Sequence, residues 1–484
     1  MMRVLIAVSE LYPFSKTGGL ADMVSAMVKT LSRRGHEVTV VTPLYKGVYE
    51  RHSKSLDSVM KLSIPLGNQE IDCELIKMEL MPNLDVIFVK QPYFYERDSL
   101  YQENGNDYPD NDARFIFFSK CVVETAKTEC PDIVHVHDWQ AGLVPLFIYD
   151  LIQNNVLSSK LKSVLTIHNI AYQGIFPRDV YSLTNLKWDY FKPDGVEFYG
   201  NLNCLKAGIF YSHKIITVSP RYAMEIMTPE YGCGLDGVLR WKRDSLVGIL
   251  NGVDYEEWNT EKNPYLYASY NIKRLSGKNV CKKMLQREFK LKEDLKIPLF
   301  STISRLTDQK GIDILIEALK TALKNYNFQF ILLGQGERRY KDEFENLAKT
   351  FPDNVRVFIG FDQPLAHRIE SGSDFFVMPS KFEPCGLNQM YSLKYGTIPI
   401  VRRTGGLDDT VTDMTDNQEN ANGIKFTEYS PNALLRAFQK AFIIFENKPL
   451  LKFYRINGMR ADFSWHKSIV EYEKVYNSLI NGSK

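Results

Sequence analysis

The chain has 484 residues, of which 44% are hydrophobic and 24% charged, and its formal net charge is +2. This composition is typical of a globular protein of two or three domains, and the balanced charge gives no reason to expect nucleic acid or an anionic membrane as a partner. The seven cysteines include no CxxC pair, so we expect neither a disulfide framework nor a zinc site. We expect a cytoplasmic protein, since we identify no leader-like segment and no apolar run of about 20 residues.

Short β-branched segments alternate with longer amphipathic segments along the chain. RVLIAV precedes GLADMVSAMVKTLSRRG and EVTVVTP near the start, and PLFSTIS precedes GIDILIEALKTALKNY and FQFILLG in the second half. Such alternation predicts an α/β protein with parallel sheets and helices on both faces. The pattern falls into two blocks without a flexible linker, so we predict two doubly wound domains, residues 1–244 and 245–460, facing across a cleft. The segment 461–484 reads as one amphipathic helix.

Unusual polar and glycine-rich loops follow the predicted strands. The loops are KTGG (16–19), HDW (137–139), HN (168–169), RLTDQKG (305–311) and FEPCGLNQ (382–389). In parallel α/β sheets, ligands bind beyond the carboxyl ends of the strands. We therefore expect these loops to line one ligand site.

Two of these loops suit a phosphate ligand. Arg305 and Lys310 bracket a loop that opens a helix, where a guanidinium fork, an ammonium and helix N–H groups can hold a diphosphate. Gly18 and Gly19 permit close approach of the backbone, and Lys16 adds a charge. Solvated basic residues at two helix starts are the alternative interpretation of both loops.

The remaining loops offer groups for a sugar. Glu383 could accept hydrogen bonds from sugar hydroxyls, whereas Cys385 has no evident base and is interpreted as a small packed thiol. A lone Asp is often a helix cap and a lone His a structural hydrogen-bonder, but Asp138 and His168 share one predicted sheet edge, which favours a function. We find no metal-binding motif and expect no metal. The residues together suggest transfer from a nucleotide-activated sugar.

Ten segments occur in the order typical of bacterial glycogen synthases and plant starch synthases: KTGGLAD, HDW, TIHNIAYQG, KAGIFYS, ITVSP, GLDGVL, ILNGVD, SRLTDQKG, EPCGL and RRTGGLDDTV. The chain resembles this family over nearly its whole length. The resemblance implies the GT-B fold of two Rossmann-like domains, with the helix at 461–484 crossing back to the first domain. It also implies transfer of glucose from ADP-glucose to the non-reducing 4-OH of an α-1,4-glucan such as glycogen, with retention and without an essential metal or cofactor.

The resemblance further implies roles for individual residues. Lys16, Gly18 and Gly19 would contact the donor, and Arg305 and Lys310 its diphosphate. Glu383 would hold the donor glucose beside the amides of Cys385, Gly386 and Leu387. His168 would face the glucose, Asp138 the donor–acceptor junction, and Asn251 the cleft. Phe361 replaces a frequent Tyr near the base, and Tyr391 stands where a broader group of transferases has a second Glu.

Two other functions and a second mechanism stay open at this point. A nucleotide-sugar epimerase could share the fold, and so could a non-catalytic glucan-binding protein. A covalent glycosyl–enzyme intermediate is the rival to proton transfer on one face of the sugar. The sequence decides neither ADP- against UDP-glucose nor the oligomeric state.

Overall fold

The computed structural model describes residues 1–52, 55–103 and 105–482. The chain divides into two compact units. Unit 1 contains Met1–Val218, Ala223–Gly252 and the segment that begins at Trp465, and unit 2 contains Ser219–Tyr222 and Val253–Ser464. None of the helices in the described part of the chain has the length and apolar content that a membrane span requires.

The strands in chain order are β1 Arg3–Ala7, β2 Glu37–Pro43, β3 Asp57–Leu66, β4 Gln69–Met81, β5 Leu84–Lys90, β6 Gln102–Glu103, β7 Asn106–Asp107, β8 Ile133–His137, β9 Lys162–Ile167, β10 Ile175–Phe176, β11 Glu197–Phe198, β12 Asn201–Asn203, β13 Lys214–Thr217, β14 Leu246–Gly248, β15 Leu299–Leu306, β16 Gln329–Gly336, β17 Val355–Ile359, β18 Phe375–Met378, β19 Ile398–Arg402 and β20 Ile424–Phe426.

The helices are α1 Gly19–Arg33, α2 Val48–His52, α3 Pro92–Tyr95, α4 Asn111–Glu129, α5 Val144–Gln153, α6 Cys204–Tyr211, α7 Pro220–Glu225, α8 Asp236–Trp241, α9 Ser276–Glu288, α10 Ile312–Asn325, α11 Arg338–Thr350, α12 Gln363–Gly372, α13 Asn388–Lys394, α14 Gly405–Thr410, α15 Pro431–Glu446, α16 Lys448–Arg460 and α17 Trp465–Asn481.

Unit 1 is built on a nine-stranded sheet with the order β14-β13-β9-β8-β1-β2-β5-β4-β3. The seven strands from β14 to β5 are parallel, and β4 and β3 extend the sheet as an antiparallel hairpin. Because the chain starts at β1 in the middle, winds outward through β2 and β5, and then returns to β8, the sheet is doubly wound.

Unit 2 is built on a six-stranded parallel sheet with the order β17-β16-β15-β18-β19-β20. Counted from β15, this is the strand order 3-2-1-4-5-6 of a Rossmann fold. The predicted pair of Rossmann-like, doubly wound domains is therefore confirmed.

Apolar periodicity explains how the helices cover these sheets. In α10 the buried positions Ile312, Leu315, Leu319 and Ala322 recur at helical spacing and form one face. Phe300 of β15 stacks on Phe375 of β18 with ring centroids 4.9 Å apart. Strands that are covered on both faces carry near-continuous apolar runs, which is why PLFSTIS and FQFILLG are predicted as strands.

The division into units differs from the predicted boundary at residue 244. β14 pairs with β13 as the edge strand of the first sheet, so residues 245–252 belong to unit 1 rather than to the second domain. The final helix begins at Trp465, four residues later than predicted, and residues 461–464 belong to unit 2. There the Val253 N–H donates to the Phe463 carbonyl at 2.7 Å. The final helix α17 itself packs against α1 of unit 1.

Candidate functional site

The nine-stranded and the six-stranded sheet each have a point where the strand order reverses, and several residues singled out from sequence follow the strands at these points. In unit 1 the reversal lies between β1 and β8, and in unit 2 between β15 and β18. Lys16 follows β1 and Asp138 follows β8, while Lys310 follows β15 and Glu383 follows β18. Ligands of open α/β sheets bind beyond the carboxyl ends of the strands at such switch points.

The loop after β1 is held by a buried carboxylate that the sequence analysis missed. Glu10 is 3% exposed, and it accepts hydrogen bonds from the Thr17 N–H and hydroxyl at 2.5 Å each and from the Gly18 N–H at 3.3 Å. The Tyr101 hydroxyl donates to the same carboxylate at 2.8 Å. Its signal in the sequence was a carboxylate placed three residues after the buried strand RVLIA.

The glycines of this loop leave room beside the backbone. A Cβ atom on Gly18 would meet no heavy atom within 4 Å, so open space adjoins the start of α1. Gly19 is the first residue of α1, whose amino end favours a negative charge. The Lys16 ammonium forms an ion pair with the Asp22 carboxylate at 2.7 Å.

The loop after β8 places Asp138 under backbone strain. Its φ of 54° lies in the left-handed region that non-glycine residues rarely adopt, and such residues cluster at functional sites. The His168 N–H donates to Asp138 Oδ1 at 2.7 Å. Burial raises the pKa of Asp138 to about 7, although the N–H groups of His168 and Asn169 oppose this shift.

His168 ends a chain of ring contacts that sequence reasoning did not find. His168 Nε2 lies 2.9 Å from His137 Nδ1, and the His137 ring stacks on His135 at 4.5 Å. His135 in turn bonds the hydroxyl of Tyr476 in α17 at 2.7 Å. Burial lowers the pKa of both His135 and His168 to about 3. The rings are therefore neutral at pH 7, and each can donate one hydrogen bond to a hydroxyl group and accept one from another.

Asn251 follows β14 in unit 1. It is 7% exposed, and within the described residues its Oδ1 atom has no hydrogen-bond partner. A buried amide oxygen without a donor is rare and costly, so this position is suited to a donor group of a ligand.

In unit 2 the loops after β15 and β18 are joined by an ion pair. The Lys310 ammonium donates to Glu383 Oε2 at 2.6 Å, and the Ser380 hydroxyl donates to the same oxygen at 3.0 Å. Gly311 has a φ of 67°, and a Cβ atom there would lie 2.0 Å from the Pro379 carbonyl oxygen. Only glycine allows the two loops to approach this closely.

The segment EPCGL is clamped from its other side by the RRTGG loop. The Gly406 N–H donates to the Glu383 carbonyl at 3.1 Å, and a Cβ atom on Gly405 would lie 2.0 Å from the same oxygen. The Cys385 side chain is buried, as the interpretation of a packed thiol requires. Gly386 has a φ of 71°, and Leu387 is the residue that precedes α13.

Three further predicted side chains differ in their surroundings. Arg305 is exposed at the end of β15, and Phe361 is exposed over 75% of its surface after β17. Tyr391 of α13 instead stacks on Trp258, with centroids 3.7 Å apart and planes 2° apart. The ring of Tyr391 is thus fixed, whereas that of Phe361 is accessible.

The comparisons with known proteins agree along the chain. The family model "Starch synthase catalytic domain" matches residues 3–241, and "Glycosyl transferases group 1" matches residues 285–447. The glycogen synthase of Myxococcus xanthus is 44% identical in an alignment of 485 positions that covers 99% of this chain and 100% of that protein. The glycogen synthase of Koribacter versatilis is 42% identical over 476 residues, or 98% of each chain.

A solved structure gives the same result. The catalytic domain of starch synthase IV from Arabidopsis thaliana, bound to ADP and acarbose, is 31% identical, covers 99% of both chains and has a TM-score of 0.88. Since its relatives span nearly the full length at more than 30% identity, the chain belongs to the glycogen and starch synthase family of glycosyltransferases, with their GT-B fold.

Proposed function

We propose that this glycosyltransferase moves glucose from ADP-glucose to the non-reducing 4-OH of an α-1,4-glucan, with retention of configuration, in glycogen biosynthesis. Its partners are a nucleotide sugar and a glucan, and its location is the cytoplasm. The observation that carries the proposal is the Lys310–Glu383 pair, a cation and a carboxylate held together at the switch point of unit 2. The names of the full-length relatives and the ADP in the solved relative support the donor and acceptor.

The basic residues bind and stabilise the leaving diphosphate. Arg305 presents an exposed guanidinium that can take two phosphate oxygens, and Lys310 adds a point charge beside it. Lys16 contributes a third positive charge together with the amino end of α1. Charge that develops on departing ADP is thereby stabilised by the protein, so the proposal requires no metal ion.

The carboxylate and the neutral imidazole orient the sugar. Glu383 accepts hydrogen bonds from donor glucose hydroxyls, and the segment Cys385 to Leu387 lies beside it. His168, which is neutral because burial lowers its pKa to about 3, bonds a glucose hydroxyl without adding charge. Asp138 stands at the donor–acceptor junction, Phe361 offers its exposed ring face to the adenine, and Asn251 and Tyr391 complete the donor contacts.

The transfer proceeds on one face of the sugar. The bond between the anomeric carbon and the phosphate oxygen breaks, and the acceptor 4-OH oxygen forms the new bond from the same side. The leaving phosphate oxygen takes the proton of that hydroxyl, so the configuration is retained. A covalent intermediate is the alternative, and it would require one carboxylate to attack the anomeric carbon.

The test is glucose transfer from labelled ADP-glucose to glycogen, with UDP-glucose in parallel and EDTA throughout. Incorporation from ADP-glucose in EDTA, into chains that an α-1,4-specific amylase releases, supports the proposal. Preference for UDP-glucose would contradict the proposal that ADP-glucose is the donor. Loss of transfer in EDTA would contradict the proposal that the reaction needs no metal ion. Conversion of the donor without transfer would indicate an epimerase, and binding of glycogen without turnover a glucan-binding protein. Glu383→Gln serves as the inactive control.

A further inference from the structure

A cavity rich in basic residues lies within unit 2. Its volume is about 470 Å³. Five of its lining residues are basic and one is acidic, namely Lys273, Lys282, Lys448, Lys452, Arg455 and Asp374. We call it the basic cavity. It belongs to none of the loops that the proposed reaction uses.

The basic cavity lies at the opposite end of the sheet from the candidate site. Asp374 immediately precedes β18, and both its N–H and its Oδ2 bond the backbone of Leu299, the first residue of β15. Arg305 is near the other end of that strand, six residues further along. At 3.3 Å per residue the two positions are about 20 Å apart. A ligand of the cavity would therefore not occupy the donor site.

The floor of the basic cavity holds more positive than negative charge. Asp374 accepts from Lys282 Nζ and from Arg455 Nη2, at 2.6 Å in each case. Lys282 is further satisfied by the carbonyl of Ile297 at 2.7 Å. One carboxylate thus balances one of two buried cations. Two basic side chains share a single carboxylate here, so this floor is suited to an added anion.

The guanidinium of Arg455 has N–H groups that do not form hydrogen bonds within the described residues. Arg455 is 9% exposed, and among the described residues its Nε has no hydrogen-bond partner. A guanidinium carries five N–H donors, and the bond to Asp374 is the one side-chain bond that Arg455 makes within the described part of the chain. Buried polar atoms are nearly always bonded, so the guanidinium of Arg455 keeps donor capacity that its bond to Asp374 does not use.

Further lysines stand at the rim. Lys448 lies over the Phe445 ring at 3.8 Å from its centroid, and Lys273 and Lys452 are exposed. Burial lowers the pKa of Lys448; Asp374 opposes this shift and the charge of Arg455 adds to it. These side chains can reach a ligand without any change in the packing of the floor.

We propose that the basic cavity is a second ligand site, which binds a small molecule carrying a phosphate group. A phosphate dianion has several acceptor oxygens, and it can bond Arg455 and the rim lysines together where a carboxylate would leave donors unused. Ser276 and Asn279 offer a hydroxyl and an amide to the organic part. The volume is in the range of small-molecule sites.

The experiment is isothermal titration of the whole protein with inorganic phosphate and with glycerol 3-phosphate. The titration is made in the full-length variant Arg305→Ala/Lys310→Ala, in which the donor site has lost its proposed phosphate contacts, and ionic strength is held constant. We expect saturable binding of both probes, tighter for glycerol 3-phosphate, and none of glycerol. Equal affinity for both probes would still support the phosphate site and assign it to free phosphate. Absence of saturable binding of either probe would overturn the proposal.

Variants at the rim locate the site without disturbing the fold. The double variant Lys448→Gln/Lys452→Gln should weaken binding by about tenfold, because two charge-assisted contacts are lost. Asn279→Glu should abolish it, since a carboxylate then faces the anion. The matched control Lys349→Gln changes an exposed lysine of α11 and should bind as the wild type does. Binding that both rim variants leave unchanged would place the phosphate elsewhere and refute the proposal.

Discussion

Lys310 and Glu383 are 73 positions apart in the chain, yet their ammonium and carboxylate oxygen are 2.6 Å apart at the switch point of unit 2. Glu383 is 6% exposed and has a second donor in the Ser380 hydroxyl. The ammonium of Lys310 and the carboxylate of Glu383 satisfy each other in this arrangement. We expect the bound donor to contact both side chains, with its phosphate at Lys310 and its glucose hydroxyls at Glu383.

Replacement of Lys310 should impair the chemical step. In Lys310→Ala we expect kcat to fall by about 10²–10³, the usual cost of one group that stabilises charge in the transition state. KM for glycogen should be unchanged, because Lys310 is proposed to contact the donor only. Steady-state kinetics with both substrates varied measures the two effects. Lys324→Ala, an exposed lysine of α10, is the control, and a kcat in Lys310→Ala equal to that control would refute the role.

Glu10 should act on the donor through the loop it holds. In Glu10→Gln the amide oxygen can still accept from the Thr17 and Gly18 N–H groups, and the NH2 group replaces the oxygen that faces the Thr17 and Tyr101 hydroxyls, so the charge-assisted character of these bonds is lost. We expect the free energy of unfolding to fall by about 1–3 kcal/mol and KM for ADP-glucose to rise. Urea unfolding and kinetics measure these changes, with the exposed Glu37→Gln as control. A less stable variant with normal KM would mean that Glu10 is structural and does not position the loop.

The sequence predicted features that depend on neighbouring residues, but not contacts between residues that are far apart in the chain. Alternating apolar segments predicted both Rossmann-like sheets, and polar residues directly after strands predicted Asp138, Lys310 and Glu383 as neighbours of strand ends. The clamp of Glu10 on Thr17, by contrast, depends on a loop conformation that has no periodic pattern. The bond between His135 and Tyr476 spans 341 positions, so no spacing could reveal it.

The same reasoning explains the misplaced domain boundary. LVGILNGVD reads equally well as the first strand of a new domain or the last strand of the old one. Only the pairing of Leu246–Gly248 with β13 decides between them. The basic cavity was unpredictable for a similar reason, since its lining residues come from segments as distant as Ile272 and Arg455.

Asp138 should give the stability a distinctive pH dependence. Its pKa is about 7 in the folded chain and about 4 in an unfolded one, so between these values the folded state binds more protons. The free energy of unfolding therefore falls as pH rises through this window. An asparagine at this position does not titrate. The free energy of unfolding of Asp138→Asn should therefore rise relative to that of the wild type by up to about 4 kcal/mol as the pH goes from 4 to 7.

His135 and His168 change the free energy of unfolding with pH in the opposite direction, but their contribution is the same in the wild type and in Asp138→Asn. Because burial lowers the pKa of His135 and His168 to about 3, the unfolded state binds more protons below pH 6.5, and stability rises with pH. Both proteins keep these rings, so the difference between them isolates Asp138. Urea titrations at four pH values measure it, with the exposed Asp189→Asn as control. A difference that does not change with pH would contradict the prediction.

Tyr476 should couple the last helix to the imidazole chain. In Tyr476→Phe the His135 Nδ1 atom loses its partner in a buried environment, which should lower the free energy of unfolding by about 1–3 kcal/mol. His135 stacks on His137, and His137 bonds His168, so we also expect a lower kcat with little change in KM for ADP-glucose. Glu471→Gln changes an exposed residue of the same helix and serves as control. If Tyr476→Phe lost stability but kept its kcat at a temperature well below unfolding, the contact with α17 would hold the helix and not the catalytic imidazole. If it lost neither, the hydrogen bond to His135 would carry no net energy in this fold.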